Sequence, residues 1–222
     1  MKNRLSQTEE NYLKAIYSLS FEKNKSVSTN AIAKQLLTKA SSVTDMIKKL
    51  SDKKLIHYKK YQGSNLTSEG TDIAVKIVRK HRLWEVFLVN NLHFNWDEVH
   101  DIAEQLEHVV SDKLIEKLDA YLHFPTKDPH GDPIPDSEGK IRLDNSILLS
   151  HGICNINYEI SCVKDNSKAL LQFLDKHNLT INSTLTIVEK FDFDESITVN
   201  LSDGNNLTLS KKACENVYVN KK

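Results

Sequence analysis

The stretch that most constrains the fold is His100-Asp101-Ile102-Ala103-Glu104-Gln105-Leu106-Glu107-His108. Wound as a helix at roughly 100° per residue, it places His100, Glu104, Glu107 and His108 on one face, within about a third of a turn. Val99, Ala103, Leu106 and Val110 form an adjacent apolar stripe that can bury against a core. Two imidazoles and two carboxylates beside a buried stripe are the donor types of a site for a borderline-to-hard divalent metal. A solvated face carrying ordinary charges is the competing reading, and it suffices for Glu107 alone. Four donors on one arc weigh against it. One helix is predicted from Asp97 to Leu118, and the rest of the chain is organised around it.

A length of 222 residues allows one to three small domains. A hydrophobic content of 39% and a charged content of 27% describe an ordinary globular protein. The start, Met1 to Ser6, leads into a polar helix rather than an apolar signal core, and no apolar run is long enough to span a bilayer. A cytoplasmic protein with no membrane partner is expected. Cys154, Cys162 and Cys214 are an odd number without a Cys-x-x-Cys pair, which fits reduced packing residues better than a disulfide framework or a zinc cage.

The net charge of zero conceals an asymmetry. Residues 1–75 hold 13 Lys+Arg against 7 Asp+Glu, and the remainder holds 17 against 23. A basic N-terminal part joined to an acidic remainder points to a polyanion partner at one end and cation binding at the other.

The basic part has a pattern of its own. Thr8 to Leu19 reads as a helix with Thr8 as its cap and Tyr12, Leu13, Ile16, Tyr17 and Leu19 as its apolar face. Ser28 to Leu37 reads as a second helix capped by Ser28. Thr38 to Ser41 is a short turn, and Ser42 to Lys53 a third helix with Val43, Met46, Ile47 and Leu50 facing the core. Two helices joined by a short turn, with small polar residues at the start of the second, form a helix-turn-helix pattern. Leu55 to Thr67 alternates around Gly63 as a two-stranded wing. Ser41, Ser42, Thr44 and Asp45 are expected to face base edges, and Lys48, Lys59 and Lys60 to contact phosphate. A small helical domain that binds another protein is the blander alternative.

A long helix is expected from Thr71 to about Asn91, on which His81 and Glu85, four apart, form a second possible ligand pair. The central apolar stripe has no partner within so small a segment, and burial across a twofold axis is the economical solution. Phe124 to Pro135 is a rigid loop holding all four prolines, with Asp128 and His130 as its notable polar members. Ser137 to Lys140 is the only linker-like stretch. Strands are expected at Cys154–Val163, Thr184–Phe191, Ile197–Leu201, Asn206–Leu209 and Asn216–Val219, with a helix at Ser167–His177, forming a five-stranded small barrel.

Arg79-Lys-His-Arg-Leu83 with Glu85, Glu104-Gln-Leu-Glu-His108 with Ser111-Asp112, and Phe124-Pro125 through Pro129-His130-Gly131 to Ile134-Pro135 resemble the diphtheria toxin repressor family of metal-dependent transcription regulators. The third stretch and the barrel look like its manganese-responsive, three-domain subgroup. The resemblance implies a mainly α fold with β: a winged helix-turn-helix (1–75), a helical dimerisation and metal-binding domain (76–140), and an SH3-like, ferrous iron transport A-like barrel (147–222). It implies a homodimer in which bound metal promotes binding to a palindromic double-stranded operator and represses metal-uptake genes.

Carried over residue by residue, the resemblance gives a primary site of Glu104, Glu107 and His108 with Asn11 from the first helix. It gives a second site of His81, Glu85 and His100, joined in the subgroup by the positions of Asp128, His130 and Asp165. Asp165 can equally be a loop residue capping the helix after it. Iron-type members have Cys and Met where Glu104 and Asn11 stand, and manganese-type members have Glu and Asp. Glu104 points to Mn2+, with Fe2+ as the alternative and Zn2+ or Co2+ as ions that can bind in vitro. Asn11 departs from both patterns, because its amide oxygen is neutral. A metal-dependent hydrolase with Glu107 as general base finds no His-Glu-x-x-His spacing to support it. A purely architectural DNA binder leaves the ligand face unexplained.

Overall fold

The computed structural model describes residues 5–23, 26–59, 62–142, 145–164 and 167–222, with backbone only at 21–23. It falls into two compact units. The first gathers the residues through His81 with Gln105–Ser111 and Pro135–Lys140; the second holds Arg82–Glu104, Asp112–Ile134 and Ile141–Lys222.

In the first unit, α1 (Gln7–Lys23) is capped by Ser6, two residues before the Thr8 cap expected from sequence. A reciprocal capping box explains the shift. The Ser6 amide donates to Glu9 Oε2 at 2.8 Å, and the Glu9 amide donates to Ser6 Oγ at 3.3 Å. The other Glu9 oxygen lies 2.6 Å from the Lys53 ammonium, so one buried carboxylate ties the start of α1 to the end of α3. Helix α2 (Thr29–Gln35) is capped by Ser28, whose hydroxyl accepts from the Ala31 amide. Helix α3 (Ala40–Asp52) begins two residues earlier than expected, so Ser41 belongs to its first turn. Val43, Ile47 and Leu50 repeat at helical spacing and are fully buried with Leu13, Ile16 and Ile32.

Strands β1 (Ile56–Lys59) and β2 (Gly63–Leu66) pair antiparallel as the wing, Lys59 opposite Gly63. Helix α4 (Ser68–Leu92) follows at once. Its Gly70 lies against the wing's start: a Cβ there would sit 2.0 Å from the Leu55 carbonyl oxygen. No larger residue allows this approach.

The single helix predicted from Asp97 to Leu118 is corrected. The chain forms α5 (Val99–Leu106), a turn, and α6 (Asp112–Tyr121). The β-branched pair Val109-Val110 is a poor continuation for a helix, and Ser111-Asp112 is a good beginning for another. Val99 and Ala103 are buried within the single chain, so this part of the stripe is covered without the twofold axis expected for it, whereas Val110 lies beyond the helix end and is exposed.

In the second unit a six-stranded antiparallel sheet has the order β3-β8-β4-β5-β6-β7. Its strands are β3 (Ile147–Leu148), β4 (Asn157–Val163), β5 (Thr184–Lys190), β6 (Ile197–Leu201), β7 (Asn206–Leu209) and β8 (Val217–Lys221). The two-residue β3 is the strand that the five-strand reading lacked. Helix α7 (Lys168–Lys176) buries Leu171 and Leu174 on the sheet, and the short α8 (Lys211–Cys214) is capped by Ser210. Trp96, outside the sheet, packs into this core with Leu149, Tyr158, Ile160 and Ile187. Among the described residues no helix is long and apolar enough to cross a membrane.

Candidate metal centres and nucleic-acid interface

Each unit contains a cluster of ligand-type side chains. In the first unit, α1 faces the turn after α5. Glu107 is completely buried. Its Oε2 accepts from the Lys14 ammonium at 2.7 Å and from His81 Nδ1 at 2.6 Å. Its Oε1 is buried without a hydrogen-bond partner and lies 3.8 Å from His108 Nε2. The other ring nitrogen of His108, Nδ1, lies 2.6 Å from Glu10 Oε2. A carboxylate accepts, so Nδ1 carries the proton and Nε2 is the nitrogen left to bind a metal. Glu10 and Lys14 are four apart on α1, one turn, with Asn11 between them. The Asn11 Oδ1 is buried and has no hydrogen-bond partner.

A buried carboxylate oxygen without a donor beside an imidazole nitrogen, and a second unpartnered buried oxygen on α1, are donor types that fit a divalent cation preferring oxygen and nitrogen ligands. Of the four residues expected to form the primary site, Asn11, Glu107 and His108 belong to this unit. Glu104 belongs to the second unit, with its carboxylate 3.8 Å from His100 Nε2. His81, read with Glu85 and His100, lies against Glu107 within this unit. The basis expected for the site also changes, since Glu107 and His108 sit in the turn beyond α5 and owe their placement to this turn rather than to a shared helix face.

In the second unit, Glu85, Asp128 and His130 each offer a ligand atom within 4.8 Å of the others, and all three are buried. His100 Nδ1 lies 3.5 Å from Glu85 Oε1. The proline-rich loop positions Asp128 and His130. Asp128 Oδ1 accepts from the amides of His130 and Asp132 at 2.9 and 3.0 Å. The backbone carbonyl of His130 accepts from the Val163 amide at 2.8 Å, which docks the loop on β4. Gly131, at φ +87°, lets the loop come this close. The His130 ring stacks on Trp96 at 5.9 Å and 16°, and its Nε2 donates to the Trp96 carbonyl at 2.8 Å. Nδ1 is thereby aimed at Glu85 Oε2, 3.8 Å away and beyond hydrogen-bonding distance.

Burial, with the carboxylates of Glu85 and Asp132 nearby, pushes Asp128 up to about 7. Burial alone would lower His130, but the Glu85 carboxylate outweighs it and raises the imidazole to about 9. Acidic groups crowded in a buried site repel one another until a cation joins them, and Arg82, 3.5 Å from Asp128, supplies only part of that charge. This donor set also fits a divalent ion. Asp165 lies outside the described residues.

On α3, Ser41, Ser42, Asp45 and Lys48 are exposed, as base- or phosphate-reading residues must be. Thr44 is half-buried, and its hydroxyl donates to the Ala40 carbonyl at 3.0 Å. Lys59 is exposed at the end of β1, whereas Lys60 lies outside the described residues. Glu10, Lys14 and Trp96 were missed from sequence. The first two look like ordinary surface charges on an amphipathic helix. The third contributes a carbonyl and a ring face, which no motif encodes.

The domain description "iron dependent repressor, N-terminal DNA binding domain" matches residues 4–64. "Iron dependent repressor, metal binding and dimerisation domain" matches 67–136, and "FeoA domain" matches 155–221. A diphtheria toxin repressor of Corynebacterium glutamicum is 31% identical over 173 residues, 78% of this chain and 73% of that protein. An uncharacterised HTH-type transcriptional regulator of Methanocaldococcus jannaschii, MJ0568, is 37% identical over 118 residues, 53% of this chain and 94% of that protein. A solved structure described as a manganese-dependent transcriptional repressor in complex with manganese superposes with a TM-score of 0.90 at 33% identity, over 96% of this chain and all of the other. With the winged helix-turn-helix, the ligand clusters and the C-terminal sheet, these likenesses show that the chain belongs to the diphtheria toxin repressor family of metal-dependent transcriptional repressors.

Proposed function

We propose that this chain is a manganese-responsive repressor of metal-uptake genes that acts as a homodimer on a palindromic operator in the cytoplasm. The observation that carries the metal reading is the pair of buried, unpartnered oxygens, Asn11 Oδ1 and Glu107 Oε1. In the first unit, Asn11, Glu107 and His108 would hold the ion. When bound, it supplies a fixed positive charge on which donors from separate elements converge. His81 and Glu10 orient Glu107 and His108, and α1 is thereby fixed against the turn after α5. α1 packs on α3, so this sets how Ser41, Ser42, Thr44 and Asp45 are presented to base edges, with Lys48, Lys59 and Lys60 toward phosphate. Glu85, His100, Asp128 and His130, with Asp165, form the second site. Metal and DNA then favour one conformation, each raising affinity for the other, and no bond is made or broken.

Oxygen and imidazole donors favour manganese, and iron is the runner-up because it shares most of this ligand preference. Leu92, Leu114, Tyr121 and Phe124 remain exposed on the second unit and supply apolar surface for a dimer. Operator fragments selected from genomic DNA, titrated by fluorescence anisotropy across a metal series, test the reading. Binding should require metal, with saturating Mn2+ activating operator binding more fully than saturating Zn2+. Metal-independent binding, or a monomer in sedimentation at saturating Mn2+, overturns it.

A further inference from the structure

Resting on that reading of the first-unit site, the geometry points to Lys14 as a resident cation that stands in for the metal's charge at Glu107 and so raises the metal concentration at which the site fills. Glu107 is completely buried, and a buried carboxylate without a cation is strongly unfavourable. Lys14 Nζ meets this need at 2.7 Å from Oε2, with its own side chain only 15% exposed. His81 shares the same oxygen through a ring nitrogen that can donate without a charge, whereas the Lys14 ammonium brings a full positive charge. The unpartnered Oε1 is the atom left to an incoming ion.

Whether the ion displaces the ammonium or shares the carboxylate with it, the two cations repel across a buried group, where charges are poorly screened. The helix that offers Asn11 to the ion therefore also carries its competitor three residues on. Affinity for the metal becomes a difference: the attraction of the donors for the ion, less the attraction of Glu107 for Lys14.

The test is calorimetric titration of the full chain with Mn2+ in the absence of DNA, for wild type, Lys14→Met and Lys14→Arg, with thermal melts of each metal-free protein. Removing the charge should tighten Mn2+ binding about tenfold and lower the metal-free melting temperature. Lys14→Arg, which keeps the charge, should bind like wild type. If Lys14→Met does not fold without metal, Lys14→Gln takes its place, since its amide still donates to Glu107 and only the charge is lost. Unchanged or weaker Mn2+ binding in the neutral variant, with wild type binding normally, overturns the role of Lys14 alone. Absence of Mn2+ binding in wild type and variants alike overturns the metal reading on which it rests.

Discussion

The Glu10 carboxylate lies 2.6 Å from Nδ1 of His108, although 98 positions separate the two residues in the chain. This contact fixes the ring's orientation and its protonated nitrogen before any metal arrives. Glu10→Ala frees the ring and should weaken Mn2+ binding by about tenfold or more, a range usual for partners of metal-binding histidines. Calorimetry reads this directly. An unchanged affinity would mean that His108 needs no orienting partner.

Asn11→Asp should act in the opposite direction. It places a formal negative charge where a buried oxygen has no donor. Mn2+ affinity should rise, and more for Mn2+ than for an ion that favours softer ligands. No change on titration would remove Asn11 from the ligand set.

Gly131→Ala tests the loop that carries His130. A Cβ at this position would lie 2.0 Å from the Ser161 carbonyl oxygen, on a backbone at φ +87°. Gly204 provides the contrast, at φ +83° with nothing within 4 Å of the added carbon. Gly204→Ala should destabilise by about 1 kcal/mol, from backbone strain alone. Gly131→Ala should lose at least about 2–3 kcal/mol, because the loop must also leave β4. Denaturant midpoints of the two variants give the comparison.

Stability should fall in acid partly through Glu9. Burial would raise its pKa, but the Lys53 ammonium, the Ser6 amide and Lys49 bring it down to about 2 from an ordinary 4.5. The folded state thus binds the proton less readily than the unfolded chain. The stabilisation is complete above about pH 4.5 and is lost progressively as pH falls toward 2. Glu9→Gln should destabilise the metal-free protein by about 1–3 kcal/mol at neutral pH, and the difference should shrink below pH 4. A gap that is constant with pH would assign the effect to lost packing instead.

Lys48→Ala and Lys59→Ala should each weaken binding to all DNA sequences alike and lower the log-log salt slope by about 0.9. A variant with both affinity and slope unchanged does not lose a phosphate contact. Ser42→Ala, if the hydroxyl reads a base edge, should instead relax preference at one operator position without changing the slope.

Local rules that act over a few residues were legible. Ser28 caps α2 as its position suggests, and the buried spacing of Val43, Ile47 and Leu50 is plain in the letters. Ser6-Gln7-Thr8-Glu9 is an equally explicit capping signature, overlapped by Thr8 with the acidic pair Glu9-Glu10 after it. The break after Leu106 was harder to see. The spacing of Glu104, Glu107 and His108 fits an uninterrupted helix, and a helical projection cannot reveal a turn that keeps its ligands. The bonds of Glu107 to Lys14 and of His108 to Glu10 depend on tertiary packing across 93 and 98 positions, where no short-range pattern reaches. Which residues carry donors could be read from sequence; which donors already hold one another could not.

Trp96 belongs at once to the hydrophobic core of the C-terminal sheet and to the wall of the His130 site. The indole makes excision of the C-terminal sheet costly. Without residues 147–222 its ring would lose the side chains that cover it, and His130 would lose both a firm stacking partner and the amide of Val163. The C-terminal sheet is therefore not a detachable module of this chain, and a shortened version needs a smaller, more polar residue at position 96 and a new support for the proline-rich loop.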